Sequence, residues 1–193
     1  MDWRPGEVLD LEGLFGRAAR ITLEIGFGNG EGLAELAERH PEQGFLGIEV
    51  HRPGVGHLLL EAERRDLGNL RVLRQDAAEV VREGLPPERL ASVLVFFPDP
   101  WPKTRHHKRR LLSAELVARL TRLIQRGGTL HVATDWAPYA EEIMATLTAT
   151  EGLENTAGPG RYATRPPERP MTRFERRGER LGHPVRDLVF RRR

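Results

Sequence analysis

The sequence predicts a single α/β domain built on a doubly wound, mostly parallel β-sheet. From residue 20 to about residue 150, short apolar runs alternate with segments in which apolar residues recur at helical spacing. One run, residues 90–97, is apolar along almost its whole length, which is typical of a central parallel strand. The 193 residues suit one hydrophobic core, and no linker or repeat divides them. We therefore expect one domain over residues 1–193.

The elements follow from apolar periodicity and from helix-stopping residues. Pro41 and Gly68 end the first two predicted helices. The predicted strands are 20–26, 44–50, 69–76, 90–97, 129–135 and a last strand within 185–193. The predicted helices are 31–41, 55–68, a short one near 77–83, 113–128 and 138–152. A segment rich in Pro, Gly and Arg, residues 158–184, is expected to form a long functional loop.

The composition is that of an ordinary soluble protein, with 39% hydrophobic and 30% charged residues. No apolar run approaches the roughly 20 residues that a membrane span requires. The first residues lack the layout of a signal peptide, so a cytoplasmic location is expected. The chain has no cysteine, which excludes disulfides, thiolate nucleophiles and thiolate zinc sites.

The positive charge is concentrated in two segments. Residues 1–102 hold 11 Lys+Arg and 18 Asp+Glu, a net charge of −7. Residues 161–193 hold 11 Arg and 4 acids, a net charge of +7, and residues 103–110 add five cations. This distribution suits a polyanionic partner, but solvated surface charge in an Arg-rich protein explains it equally well.

A glycine-rich turn follows the first predicted strand, which carries Glu24. Gly26, Gly28 and Gly30 would let a ligand approach the backbone closely. Their spacing is GxGxG, because position 31 is Glu, and it differs from the GxGxxG of dinucleotide-binding turns. A nicotinamide oxidoreductase is the rival interpretation, and this spacing disfavours it.

Two further acids are expected near the ends of the next strands. Glu49 stands 19 residues after Gly30, about the spacing at which an acid binds ribose hydroxyls, and Asp76 could accept from an adenine amino group. A cleft lined by these acids beside the glycine turn suits S-adenosylmethionine, whose sulfonium is positive. Alternatively, Glu49 and Asp76 are helix N-caps and Glu24 is a satisfied polar residue.

The segment FPDPW places Asp99 between two prolines at the end of the apolar strand 90–97. The prolines restrict the backbone, so the carboxylate is expected to be held rigidly. Guanine offers N–H donors on its Watson–Crick edge, and its N7 carries an exposed lone pair. Methylation of N7 removes no proton but makes the base cationic, and a nearby carboxylate would stabilise that charge. A turn-forming Pro-Asp-Pro corner is the structural alternative.

Together these motifs identify a family. LEIGFGNG, FLGIEVHRPGVG, RQDA, FFPDPWPKTRHHKRR, ATDWAPYA and RPMTRFERRGERLGHPVRDLVF resemble the bacterial tRNA (guanine-N7-)-methyltransferase family, called TrmB. The resemblance implies a seven-stranded, Rossmann-like sheet of the class I S-adenosylmethionine-dependent methyltransferase type, in a three-layer sandwich. It also implies methyl transfer to N7 of guanine in the tRNA variable loop, conventional position 46.

The resemblance assigns roles to particular residues, with Asp99 as the catalytic one. The expected donor-binding residues are Glu24, Gly26, Gly28, Gly30, Glu49, Asp76, Ala77 and Asp99. The expected guanosine-binding residues are Lys103, Asp135, Thr172, Arg173, Phe174 and Glu175. Residues 103–110 are expected to form a basic loop whose RNA-binding residues are Arg105, His106, His107, Lys108, Arg109 and Arg110, and the loop 158–184 is the second expected RNA-binding element.

Several alternatives remain open at this stage. A catalytically idle RNA-binding protein would not need carboxylates at four strand ends, and a small-molecule methyltransferase would not need two basic segments. His106 and His107 lack the neighbours of a metal site, so no metal is expected. The expected partner is tRNA, with no membrane partner, and the protein is either a monomer or a homodimer.

Overall fold

The computed structural model describes residues 1–16, 20–171, 175 and 184–193. The strands in these residues are β1 (Ile21–Ile25), β2 (Gly44–Ile48), β3 (Leu70–Leu73), β4 (Leu90–Phe96), β5 (Ile124–Thr134), β6 (Leu153–Asn155) and β7 (Arg186–Arg192). They form one sheet in the order β3-β2-β1-β4-β5-β7-β6. Strands β1 to β5 pair in parallel, and β7 runs antiparallel to both β5 and β6. The predicted mostly parallel, seven-stranded sheet is confirmed.

The described helices follow the predicted alternation with the strands. They are α1 (Leu11–Phe15), α2 (Glu31–Arg39), α3 (Arg52–Arg64), α4 (Ala77–Glu79), α5 (Ala114–Leu123) and α6 (Ala137–Ala149). A π-helical turn, Val80–Gly84, continues α4, and a 3-10 helix covers Thr104–Arg109. None of the helices within the described part of the chain is long and apolar enough to cross a membrane.

Helix α5 ends earlier than its periodicity predicts. It was expected over 113–128 but ends at Leu123, because Ile124 is fully buried and pairs with Leu90 at the start of β5. The register then shifts around Gly127, whose φ is 79°. Two short elements, α1 and β6, escaped prediction, since five and three residues are too few to show a period.

Alternate residues of the strands face two separate apolar layers. On β4, Val93 and Val95 join a cluster that also receives side chains from α5 and α6. Leu94 and Phe96 point to the opposite face and join a cluster with side chains from α2 and α3. This alternation produces the three-layer arrangement of helices on both sides of a sheet.

The sheet topology determines where a ligand can bind. Strand order reverses between β1 and β4, which are neighbours in space although two strands separate them in sequence. In open α/β sheets, ligands bind at the carboxyl ends of the strands beside such a reversal. Glu24 pairs with Leu94 across this junction, close to the carboxyl ends of both strands.

Candidate active site

The glycine turn after β1 has the backbone conformation that its sequence suggests. Gly26, Gly28 and Gly30 have φ values of 73°, 62° and 77°, in the left-handed region that glycine adopts readily. Side chains built at Gly26 and Gly28 would meet no atom within 4 Å, so these positions face open space. Gly54 on α3 packs closely behind the turn, since a Cβ there would lie 1.9 Å from the Gly28 carbonyl oxygen.

Glu49 holds the glycine turn against the end of β2. Its Oε2 accepts a hydrogen bond from the Gly28 N–H at 3.0 Å, and its Oε1 accepts from Val50 and His51 at 2.7 and 2.9 Å. The N-cap position of α3 belongs to His51, so Glu49 is not the N-cap residue. A carboxylate offers about four acceptor sites, and the half-buried Glu49 therefore keeps capacity for a ligand hydroxyl.

Glu24 is a buried carboxyl group that lacks a full set of partners. It is 6% exposed, and its Oε2 has no hydrogen-bond partner among the described residues. Burial, and to a smaller extent the neighbouring Glu49 charge, raises the pKa of Glu24 to about 8. An unpaired buried carboxyl group is costly, and a cationic ligand would remove that cost. The unpartnered oxygen favours a ligand-binding role for Glu24 over the alternative of a satisfied polar residue.

Asp76 lies just beyond β3 and begins α4. Its Oδ1 accepts a hydrogen bond from the Ala78 N–H at 2.7 Å, which is the N-cap arrangement. The residue is nevertheless exposed, and a carboxylate offers about four acceptor sites, so capping and ligand binding are compatible. Ala77, beside it, is half-buried against the core.

Asp99 is exposed at the end of β4, in a turn with unusual backbone angles. The non-glycine residues Phe97 and Trp101, on either side of it, have φ values of 52° and 43°. Each such residue costs on the order of 1–3 kcal/mol and persists only where the surroundings enforce it. The Trp101 ring packs within its own segment, with the Arg109 guanidinium 4.9 Å and the His106 ring 5.8 Å from it.

Lys103 follows the Asp99 turn in sequence, and Asp135 follows the strand next to β4. Asp135 directly follows β5, which pairs with β4 through Phe96 and Ala133, so Asp99 and Asp135 emerge from neighbouring strands. Asp135 is half-buried and Lys103 is exposed. The carboxyl ends of two adjacent strands thus present an acid each, as the sequence predicts.

The basic segment 103–110, expected as a loop, is mostly the 3-10 helix. Its exposed cations are Lys103, Arg105, Lys108 and Arg109, and its two histidines are half-buried. Arg110 does not belong with them, because only 4% of its side chain is exposed. Its guanidinium is ion-paired with Glu142, so this conformation does not favour the predicted contact between Arg110 and RNA.

The predicted guanosine-binding group is only partly described. Thr172, Arg173 and Phe174 lie outside the described residues. Glu175 is 2% exposed, and its two oxygens accept hydrogen bonds from Arg169 at 2.7 and 2.6 Å. The Glu175 carboxylate is thus buried in an ion pair in this conformation, and its contact with guanosine stays a prediction.

The Arg169–Glu175 pair belongs to a buried network that the sequence analysis missed. Arg169 Nε lies 2.8 Å from Asp187 Oδ1, and that same oxygen is 2.7 Å from His131 Nε2. The Arg169 guanidinium also lies 5.9 Å from the centroid of the Phe96 ring. The only sequence signal was a polar residue, His131, inside the apolar run of β5.

A cavity of about 690 Å³ opens beside Glu24 and the glycine turn. Besides these, it is lined by residues at the start of α2, at the start of α3, at the end of β4 and in the segment before residue 172. They include Glu31, Gly32, His51, His57, Phe96, Pro170 and Met171. Asp99, Glu49 and Asp76 do not line this cavity. Among the described residues, no group of three or more His, Asp or Glu side chains is placed to hold a metal ion.

The observed site suits S-adenosylmethionine. Open space over the glycine turn admits a ligand, Glu24 offers an unpartnered buried carboxyl oxygen for a cation, and Glu49 retains acceptor capacity for hydroxyl groups.

Several solved methyltransferases share the fold. The 16S rRNA methyltransferase KamB has a TM-score of 0.68 at 18% identity, over 97% of this chain and 95% of that chain. The aminoglycoside resistance methyltransferase NpmB1 has a TM-score of 0.58 at 21% identity, over 95% and 92%. Fold and site define an S-adenosylmethionine-dependent methyltransferase of class I.

Sequence comparisons are more specific. The family model described as "Putative methyltransferase" matches residues 18–188. The tRNA (guanine-N(7)-)-methyltransferase of Alkalilimnicola ehrlichii is 57% identical, over 97% of this chain and 79% of the relative. The proteins of the same name from Leifsonia xyli and Thiobacillus denitrificans are 54% and 56% identical, over 96% and 97% of this chain and 82% of each relative. The chain belongs to the tRNA (guanine-N(7)-)-methyltransferase family.

Proposed function

We propose that this enzyme transfers a methyl group from S-adenosylmethionine to N7 of guanine in the variable loop of tRNA, at conventional position 46. The observation that carries this proposal is the placement of Asp99. This exposed carboxylate follows β4, across the order reversal from the glycine turn, and an exposed cationic helix follows it directly. Such a site can accept a base that becomes positive while it is attached to a negative backbone.

The donor side would be formed by β1, β2 and the start of α4. S-adenosylmethionine supplies a methyl group that leaves with no proton to be removed. Glu24 would lie near the positive part of the donor, and Glu49 and Asp76 would accept hydrogen bonds from its ribose and adenine. Val50, which is 65% exposed and adjoins Glu49, offers an apolar surface for the base. Gly26 and Gly28 leave room for these contacts because they carry no side chain.

Asp99 would act on the acceptor base. Its carboxylate can accept hydrogen bonds from N1–H and the N2 amino group of guanine, which orients N7 towards the methyl group. The N7 lone pair forms the new carbon–nitrogen bond as the carbon–sulfur bond breaks and its electron pair stays on sulfur. The base acquires the positive charge that sulfur loses, and Asp99 stabilises it without taking a proton. Lys103 and Asp135 would hold the rest of the guanosine.

The exposed cations of the 3-10 helix would bind the tRNA backbone. Arg105, Lys108 and Arg109 present three positive charges on one short element, and none of the three forms an ion pair within the described part of the chain. Phosphate contacts of this kind make binding weaken steeply as salt rises. His106 and His107 would add further contacts beside them.

The direct test is incubation of the protein with unmodified tRNA and labelled donor, followed by nucleoside analysis. The expected product is 7-methylguanosine in the variable loop, and a transcript with adenine at position 46 should remain unlabelled. Labelling of that transcript would show that the proposed position is wrong. Binding of tRNA without any product would favour a catalytically idle RNA-binding protein. Labelling of small molecules alone would favour a small-molecule methyltransferase.

A further inference from the structure

Arg110 differs from the other cations of its segment in both burial and contacts. It ends the run Lys103–Arg110, but its side chain is 4% exposed whereas Lys108 and Arg109 are exposed. Its Nε donates a hydrogen bond to the Pro100 carbonyl oxygen at 2.9 Å, and its Nη1 donates to Glu142 on α6. The guanidinium carbon lies 4.7 Å from the centroid of the Tyr139 ring.

These contacts connect three parts of the molecule. Pro100 immediately follows Asp99, and Glu142 and Tyr139 belong to α6. Arg110 is the C-cap residue of the 3-10 helix, and its N–H donates to the His107 carbonyl oxygen at 2.9 Å. Tyr139 is itself fixed, because it is fully buried and its hydroxyl accepts from the Leu112 N–H at 3.3 Å. The Arg110 guanidinium is thus held at a rigid part of α6.

The Asp99 turn needs such an external support. Pro98 and Pro100 have no N–H, so the turn cannot form the usual backbone hydrogen bonds through these residues. The turn is held on its strand side by the Phe97 N–H, which donates to the Ala133 carbonyl at 2.7 Å. On its other side, the Trp101 ring packs against Arg109 and His106, and the described hydrogen bond is the one from Arg110 to Pro100.

We propose that Arg110 is a positioning residue for Asp99 and does not contact tRNA. The guanidinium is planar, so Nε can reach Pro100 while Nη1 reaches Glu142 and the face lies on Tyr139. A lysine ammonium cannot occupy all three places at once. This arrangement also links the two functions, because Arg110, which holds the Asp99 turn, is the C-cap residue of the 3-10 helix that would bind tRNA. This inference rests on the proposed role of Asp99.

The test compares Arg110→Lys with Lys108→Ala, a change at an exposed cation two residues away. Three quantities are measured for each: the single-turnover rate of methyl transfer at saturating tRNA and donor, the tRNA Kd over a range of salt, and the fraction of sites that bind donor. Rates are expressed per donor-binding site, so a loss of folded protein does not count.

For Arg110→Lys we expect a 10- to 100-fold lower rate, on the order of the cost of a small misplacement of a catalytic group. The tRNA Kd and its salt slope should stay at the wild-type values. For Lys108→Ala the salt slope should fall by about 1. An equal fall in slope for Arg110→Lys, or an unchanged rate, would overturn the proposal.

Glu142→Gln provides a second test if Arg110→Lys fails to fold. It keeps the size of the side chain and removes its charge, so a smaller rate loss with an unchanged salt slope is expected. Combined with Arg110→Lys, it should add little, because both changes break one contact chain. Fully additive losses would contradict the proposal. If wild-type protein forms no 7-methylguanosine, the proposed function fails, and the salt slopes still decide whether Arg110 contacts tRNA.

Discussion

The two ends of the cleft are built in opposite ways. At the donor end, Glu24 is buried, and Glu49 binds the backbone of both the glycine turn and the start of α3. At the acceptor end, Asp99 is exposed and its turn is held from outside, at Phe97 and at Pro100. Buried groups suit a small cationic ligand that the protein encloses, whereas an exposed acid suits a base that arrives attached to a large RNA.

This difference predicts which quantity each end controls. Changes at the donor end should alter donor affinity, because Glu24 and the glycine turn line the cavity proposed for the donor. Changes at the acceptor end should alter the rate of transfer and leave donor affinity nearly unchanged. The predictions below test this separation, starting with the largest effect.

The largest effect is expected for Asp99→Asn. The amide has nearly the same shape but carries no charge, so it cannot stabilise the positive charge that develops on guanine. We expect the single-turnover rate to fall on the order of 100- to 1000-fold while donor affinity changes by less than about threefold. Retention of most of the rate would show that Asp99 does not stabilise charge.

A smaller but still large effect is expected for Gly54→Ala at the donor end. A Cβ at this position would lie 1.9 Å from the Gly28 carbonyl oxygen, so the glycine turn must move. We expect donor affinity to fall by about 10-fold or more, equivalent to about 1.4 kcal/mol, as measured by calorimetry. The matched control is Gly56→Ala on the same helix, where a Cβ meets nothing within 4 Å. Equal affinities for both variants would contradict the described packing.

The third prediction concerns pH. Because the pKa of Glu24 is raised to about 8 from 4.5, the free protein keeps this group protonated while the unfolded chain ionises it. The contribution of Glu24 to the free energy of unfolding is therefore complete below pH 4.5 and is lost as the pH rises towards 8. Thermal unfolding of the donor-free protein should show this decline, and Glu24→Gln should reduce it.

Donor binding should show the opposite trend from the same group. A cation near Glu24 favours the ionised form, so binding releases a proton and donor affinity should rise up to about 10-fold per pH unit below pH 8. Glu24→Gln should bind donor more weakly at pH 8 and with a flatter pH profile. An unchanged profile in that variant would assign the pH dependence to another group.

Much of this arrangement could be predicted from the sequence, where local patterns carried the information. The apolar run of β4, the glycine turn and the acids Glu24, Glu49 and Asp99 stand out because each occupies a fixed place relative to a strand end. The predicted end of α5 was wrong because strand pairing between Ile124 and Leu90 overrides helical periodicity. Such pairing cannot be recognised from the neighbouring sequence.

The buried cations were harder to predict for a different reason. Arg110 stands in a run of cations, and nothing in that run shows that only its last side chain turns inward to Glu142. Arg169 and Asp187 are 18 residues apart and meet only because β7 returns beside β5. Glu175 was assigned to guanosine by the family resemblance, and its bond with Arg169 is not recognisable from the neighbouring sequence.

The separation of the two ends is tested most directly by measuring donor Kd and single-turnover rate for Asp99→Asn and Glu24→Gln together, at pH 8 and saturating tRNA. The predicted result is a crossed pattern. Asp99→Asn should lose rate with a nearly wild-type donor Kd, and Glu24→Gln should raise the donor Kd with most of the rate recovered at saturating donor. If both variants changed the same quantity by the same factor, the two ends would not have separate roles.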